Sequence, residues 1–206
     1  MTDDRRPGPA GGTSPQYDVV AIGASAGGVE ALHVVVNSLP AGLPAAVLIV
    51  QHMDPRHKSM LARLLGRYSS LPVKQATSGE EACPGTVYIA QPDAHLIVRA
   101  GRLVLTDSPH VHFSRPSIDL LFESVADAYG DRAIAVVLSG SGVDGAAGIR
   151  AVKGKGGTTI VQDPATAAHT GMPQAARATG CADLVLPLVE VGPAIASLIA
   201  PEPEAS

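Results

Sequence analysis

The chain alternates short apolar runs with stretches of helical period, and glycine or proline punctuates almost every junction. Residues 18–24 read as a buried strand, and residues 46–50 as a second. Between them, residues 29–39 carry Ala31, Leu32, Val35 and Val36 near helical spacing, and Pro40, Gly42 and Pro44 stop the helix. Residues 58–68 predict an amphipathic helix with Met60, Leu61, Leu64 and Leu65 on one side. The middle changes character, with short runs at 73–75, 86–90, 96–99 and 103–106; the last two predict a hairpin around Ala100, Gly101 and Arg102. From 117 the alternation resumes. Helix 117–129, with Ile118, Leu121, Phe122 and Val125 at i, i+3, i+4 and i+7, precedes strand 133–138, helix 146–155 and strand 158–161. A short helix 173–179, a last strand 184–186 and a closing helix 191–199 follow. Alternation at both ends predicts an α/β fold: a doubly wound, mainly parallel sheet flanked by helices, with a short antiparallel hairpin inserted in the middle.

Composition agrees with that architecture. The 206 residues are 46% hydrophobic but only 3% aromatic, with no tryptophan, so the core must be built from Val, Ile, Leu and Ala, as in a sheet covered on both faces. One domain is expected over residues 18–200, with a Gly/Pro-rich tail at 1–17 and a frayed end at 201–206. A net charge of −4 gives no basic signature for nucleic acid. No apolar run suits a membrane span, and the first residues lack the apolar stretch of a signal peptide. Two cysteines, Cys83 and Cys181, form no C-x-x-C pair, and a reduced cytoplasm is the expected home.

The candidate chemistry lies at the predicted strand ends. Ser25 stands between Gly23 and Gly27 in a G-x-S-x-G pattern, just after the first strand and before a helix, which is the pattern of a nucleophile elbow. A serine hydroxyl needs a neighbouring base, and an imidazole base needs one nitrogen held. His52 follows the second strand and Asp144 the strand ending at 138, so all three are placed at the carboxyl edge of the sheet, where such folds bind ligands. Of the seven histidines, His33 falls within a helix and His57, His95, His110 and His112 in loops or at a strand end, leaving His169 as the rival base. Asp144 also reads as a plain helix cap, and Asp163 is its rival as the acid. The order Ser, His, Asp and an elbow on the first strand both depart from the ordinary α/β-hydrolase. Walker A needs a lysine that is absent after Gly28, and the dinucleotide fingerprint needs glycine where Ser25 stands.

With these residues in hand, the chain resembles the catalytic domain of the chemotaxis protein-glutamate methylesterases, the CheB family. The resemblance rests on Ile22-Gly23-Ala24-Ser25 with Gly27-Gly28, Val50-Gln51-His52-Met53, and Pro84-Gly85-Thr86-Val87-Tyr88-Ile89-Ala90. It continues through Arg115-Pro116-Ser117-Ile118-Asp119-Leu120-Leu121-Phe122, Gly142-Val143-Asp144-Gly145-Ala146-Ala147-Gly148 and Gly171-Met172-Pro173. It implies a serine hydrolase that cleaves glutamate γ-methyl esters on the cytoplasmic helices of methylated chemoreceptors, and that also deamidates glutamine, with no metal or organic cofactor. By position it makes Ser25 the nucleophile, His52 the general acid and base, and Asp144 the group that orients His52. For that chemistry the Ala26 N–H, with a second from the Gly140–Gly142 loop, is the candidate oxyanion donor, Ser141, Gly142 and Met172 are candidate lining residues, and Arg115 is a candidate contact for acidic substrate segments. Two positions depart from the family pattern: Ala26 stands where threonine is common, and Ser141 where methionine is common. The family's familiar form also carries an N-terminal receiver domain, whereas about 17 residues precede the first strand here, so control is expected from a separate receiver or kinase protein, or not at all. Two other readings stay open: a receptor- or kinase-binding module that keeps the fold without the chemistry, and an anion or nucleotide site at the glycine turn.

Overall fold

The computed structural model describes residues 17–53 and 60–200. The expected tail, up to residue 16, and the frayed end at 201–206 lie outside them, as do His57 and the first residues of the helix predicted at 58–68. Tyr17, expected as the last residue of the tail, is buried, and its hydroxyl is 2.8 Å from Thr158 Oγ1.

In chain order the elements are β1 (Val19–Ala24), α1 (Gly28–Asn37), β2 (Ala46–Gln51), α2 (Leu61–Leu65), β3 (Val73–Gln75) and β4 (Val87–Ile89). The hairpin β5 (His95–Arg99) and β6 (Arg102–Thr106) comes next, then α3 (Ile118–Tyr129) and β7 (Ala133–Val137). The chain continues through α4 (Ala146–Gly154), β8 (Thr158–Gln162), α5 (Gly171–Ala178), β9 (Leu184–Leu186) and α6 (Leu188–Ile199). Seven strands form one parallel sheet in the order β3-β4-β2-β1-β7-β8-β9, and β5-β6 stands apart as an antiparallel pair. The short runs at 73–75 and 86–90 therefore extend the parallel sheet rather than join the hairpin.

Alternation along β1 builds two cores, because successive side chains of a strand point to opposite faces. Val20, Ile22 and Ala24 face Leu32, Val35 and Val36 of α1 and Val191, Ile195 and Ile199 of α6. Val19 and Ala21 face the other layer, where Ile118, Leu121, Phe122 and Val125 of α3 pack with Ile149 and Val152 of α4 and with the hairpin's Leu96, Val98 and Leu103. The chain leaving β1 thus turns to one face into α1, and the chain leaving the adjacent β7 turns to the other into α4. Diverging connections open a crevice at the carboxyl ends of these two strands, and in doubly wound sheets that is where ligands bind.

Candidate active site

β1 delivers Ser25 into this crevice. The Ser25 N–H donates to Ser139 O at 3.0 Å, and its carbonyl accepts from Gly28 N and Gln51 Nε2, both at 2.8 Å. The two flanking glycines serve different ends. Gly27 has φ 70°, and a Cβ there would also lie 2.7 Å from Ala168 Cβ and 2.8 Å from Ser139 Oγ. A Cβ on Gly23 would run into Ile118, so this glycine lets the start of α3 approach the end of β1.

His52 is the first residue past β2, and its N–H donates to Ala24 O at 3.0 Å. Its Nε2 lies 2.9 Å from Asp144 Oδ2. An ionised carboxylate only accepts, so Nε2 carries the proton and Nδ1, which has no partner among the described residues, keeps its lone pair.

Asp144 is 4% exposed and surrounded by donors. Oδ2 also accepts from Ile118 N at 2.8 Å; Oδ1 accepts from Asp119 N at 2.9 Å, Gly145 N at 3.1 Å and Ser117 Oγ at 3.2 Å. The carboxylate therefore sits on the N-terminus of α3, where free N–H groups and the helix dipole favour negative charge. Burial raises its pKa, but the hydrogen bonds from His52, Ile118 and Asp119 outweigh burial and hold it below the ordinary aspartate value.

Asp119, whose place in the sequence marks it only as part of the Arg115–Phe122 motif, is buried beside Asp144. Its Oδ1 accepts from Gly145 N at 2.9 Å and Gly148 N at 2.7 Å, at the cap and in the first turn of α4. The two helices thus exchange carboxylates: Asp144, from the loop before α4, caps α3, and Asp119, from α3, caps α4. Burial, aided by the Asp144 charge, pushes Asp119 above its ordinary pKa despite those two bonds. His95 also went unsingled: it is fully buried, its Nδ1 accepts from Ser117 N at 3.0 Å, and its Nε2 donates to Pro109 O at 3.2 Å. Its burial lowers its pKa, which keeps it neutral and able to accept at Nδ1. Gln51 and Ser139 complete the support. Gln51 Nε2 bridges the carbonyls of Ser25 and His52, and Ser139 Oγ ties Ala26 O to His169 N. A hydrophobic run ending in one polar residue, as in both Gln51 and Ser139, is the only signal that could have marked them.

The remaining candidates fall as follows. The Ala26 and Gly27 N–H groups have no acceptor among the described residues and stand at the start of α1. In the second loop, the Gly140 N–H is spent on His169 O at 3.0 Å, while Ser141 and Gly142 are exposed. Those two line a cavity of about 270 Å³ with His52 and Asp144. Met172 is buried behind Gly140, where its N–H donates to Gly140 O at 2.9 Å. Arg115 lines a second cavity beside His52, but it gives its donors to Asp93 Oδ1 and to the carbonyls of Asp107 and Ser108. His169 is exposed and enters the network through its backbone, and Asp163 caps a turn by accepting from Ala165 N. A larger cavity of about 440 Å³ between the hairpin and α3 holds Ser124, whose hydroxyl is spent on Leu121 O and Val98 N. Among the described residues, no group of His, Cys, Asp or Glu is placed to hold a metal ion, and no helix is long and apolar enough to cross a membrane.

Fold and site together define a doubly wound α/β protein with a serine turn on its first strand and a histidine–aspartate pair supplied by the strands on either side. Residues 20–195 match the family described as CheB methylesterase, and the chain belongs to that family. It is 38% identical to the crystallised CheB methylesterase catalytic domain of Thermotoga maritima, with a TM-score of 0.85, covering 89% of this chain and 99% of that one. It is 43% identical over 201 residues to a protein-glutamate methylesterase/protein-glutamine glutaminase of Moorella thermoacetica, covering 91% of this chain and 46% of the relative. With a Burkholderia orbicola protein of the same description it shares 45% over 195 residues, 94% of this chain and 57% of the relative. The chain spans about half the length of these curated relatives.

Proposed function

We propose that this chain is a protein-glutamate methylesterase working through Ser25, His52 and Asp144. The observation that carries the reading is the 2.9 Å bond from His52 Nε2 to Asp144, made one strand away from the serine turn. It leaves Nδ1 as the basic nitrogen. Ser25 Oγ attacks the ester carbonyl as its proton passes to Nδ1, and the Ala26 N–H, at the positive end of α1, receives the oxyanion. As the carbon–oxygen bond breaks, Nδ1–H protonates the departing methoxide, and methanol leaves. Water, deprotonated by Nδ1, then cleaves the glutamyl-serine ester. The imidazolium in each step is stabilised by Asp144, whose depressed pKa keeps it ionised. A glutamine side chain would follow the same route with ammonia leaving, matching the second activity in the relatives' names. The intended substrate is a methylated chemoreceptor in the cytoplasm.

Methanol release from methylated receptor membranes tests the reading. Ser25→Ala should lower the rate by about three orders of magnitude or more, and a fluorophosphonate should label wild type at Ser25 in stoichiometric yield. Retention of most activity in the alanine variant would remove Ser25 from the chemistry. No labelling together with receptor binding would instead favour a binding module on this fold.

A further inference from the structure

Residues 111–114 make a two-residue hairpin turn, in which Val111 and Ser114 exchange backbone hydrogen bonds of 3.1 and 2.8 Å. Both tip residues hold positive φ, 49° at His112 and 62° at Phe113. Glycine or asparagine fills such positions without steric conflict, and a bulky aromatic does so rarely. Phe113 is 101% exposed, so burial does not account for it either. Nor is the turn loosely held. His112 Nε2 lies 3.4 Å from the buried carboxylate of Asp119, and Arg115, just beyond the turn, is fastened to Asp93, Asp107 and Ser108. A strained backbone, fixed on both sides and presenting an apolar ring to solvent, points to a use other than stability.

The location of the ring supplies that use. Phe113 lines two cavities, and both include His52: one of about 150 Å³ with Met53 and Arg115, the other of about 270 Å³ with Asp144 and Val143. Val143, 52% exposed, lines the second cavity together with Phe113. A side chain approaching His52 through either cavity passes the ring.

We propose that Phe113 and Val143 hold the substrate polypeptide, packing an apolar side chain of that chain next to the modified glutamate while the ester enters the cavity beside His52. The inference rests on the methylesterase reading and adds how a protein ester is preferred over a small one. A polypeptide can cover an exposed aromatic ring and a valine at once, and such anchors carry much of the energy of protein recognition. A small acyl ester fills the cavity without needing that contact.

The test compares kcat/KM of wild type and Phe113→Ala on a methylated receptor protein and on a chromogenic aryl acetate. The ratio of protein to small-ester kcat/KM should fall about tenfold in the variant, carried mainly by KM, with Phe113→Leu recovering most of it. A ratio within about twofold of wild type overturns the proposal. The wild-type measurement separates the two readings. If wild type releases methanol from the receptor and Phe113→Ala equals it, the docking role alone is lost. If wild type cleaves the aryl acetate but releases no methanol, the methylesterase reading fails and takes the docking role with it.

Discussion

Asp144→Asn changes one atom, and its consequences follow from the donors around the carboxylate. Three donors converge on Oδ1, from Ser117, Asp119 and Gly145, and two on Oδ2, from His52 and Ile118. An asparagine keeps the larger set by placing its carbonyl at Oδ1 and its NH₂ at Oδ2. The Ile118 N–H is then buried against another donor, a cost of about 1–3 kcal/mol. The negative charge at the start of α3 is lost as well, for a further 0.3–2 kcal/mol or so. The sum is about 1–5 kcal/mol, which in a domain of this size lowers Tm by about 3–20 °C. On the proposed mechanism, catalysis suffers separately. The NH₂ can only donate to His52 Nε2, so the imidazole proton moves to Nδ1 and the base is blocked, with an expected loss of about a thousand- to ten-thousandfold in kcat. Thermal denaturation followed by circular dichroism and hydrolysis of an aryl acetate read the two effects, both at pH 7. The stability effect also has a pH signature. The folded pKa of Asp144 is depressed, so its stabilisation is full above the unfolded carboxyl value, about 4, and is lost as pH falls through the folded value. Wild type and variant should therefore converge in Tm under strongly acidic conditions. A variant within about 2 °C of wild type at pH 7, or one keeping more than about a tenth of the activity, would refute the reasoning.

Asp119→Asn should behave in the opposite way. Its carbonyl can keep both α4 N–H groups, its NH₂ can face His112 Nε2, and a carboxylate whose pKa is raised by burial destabilises the fold at pH 7, so its removal offsets the lost cap. Calorimetric Tm should stay within about 4 °C of wild type, and a fall matching that of Asp144→Asn would contradict the assignment of the two charges. Gly140→Ala introduces a Cβ that meets the Met172 sulfur and comes within 2.9 Å of Ser25 Cβ. We expect a loss of about 1–3 kcal/mol in urea unfolding, with a fall in ester hydrolysis larger than that loss accounts for at assay temperature; unchanged hydrolysis would show that the loop moves freely of the serine.

The layout was legible in the sequence wherever pattern and chemistry coincide. Strand runs such as 18–24 and 46–50 carry their own burial, and a strand end is where a doubly wound fold gathers polar groups, so the sequence alone puts Ser25, His52 and Asp144 at one edge of the sheet. The short runs at 73–75 and 86–90 could not be assigned to a sheet, because three to five residues carry no sign of parallel or antiparallel partners. The supporting groups were hidden for a different reason. Asp119 sits inside a helix at a position that reads as a first-turn acid, and His95 in a strand, so each has an ordinary local explanation. Their roles come from what the other helix or loop brings against them, across separations of 14 to 29 residues. The Phe113 turn was hidden because a positive φ at phenylalanine is set by the surrounding contacts and not by its own preference.

The exchange of carboxylates between α3 and α4 gives Asp144 two employers. Ser25 and His52 can be lost from a descendant of this chain at little structural expense, since neither completes a helix end. Asp144 cannot, because the start of α3 would loosen with it. In a relative that has abandoned hydrolysis, the aspartate would therefore outlast the serine and the histidine. Its presence testifies to the architecture, and on the proposed mechanism only the serine and histidine together testify to the reaction.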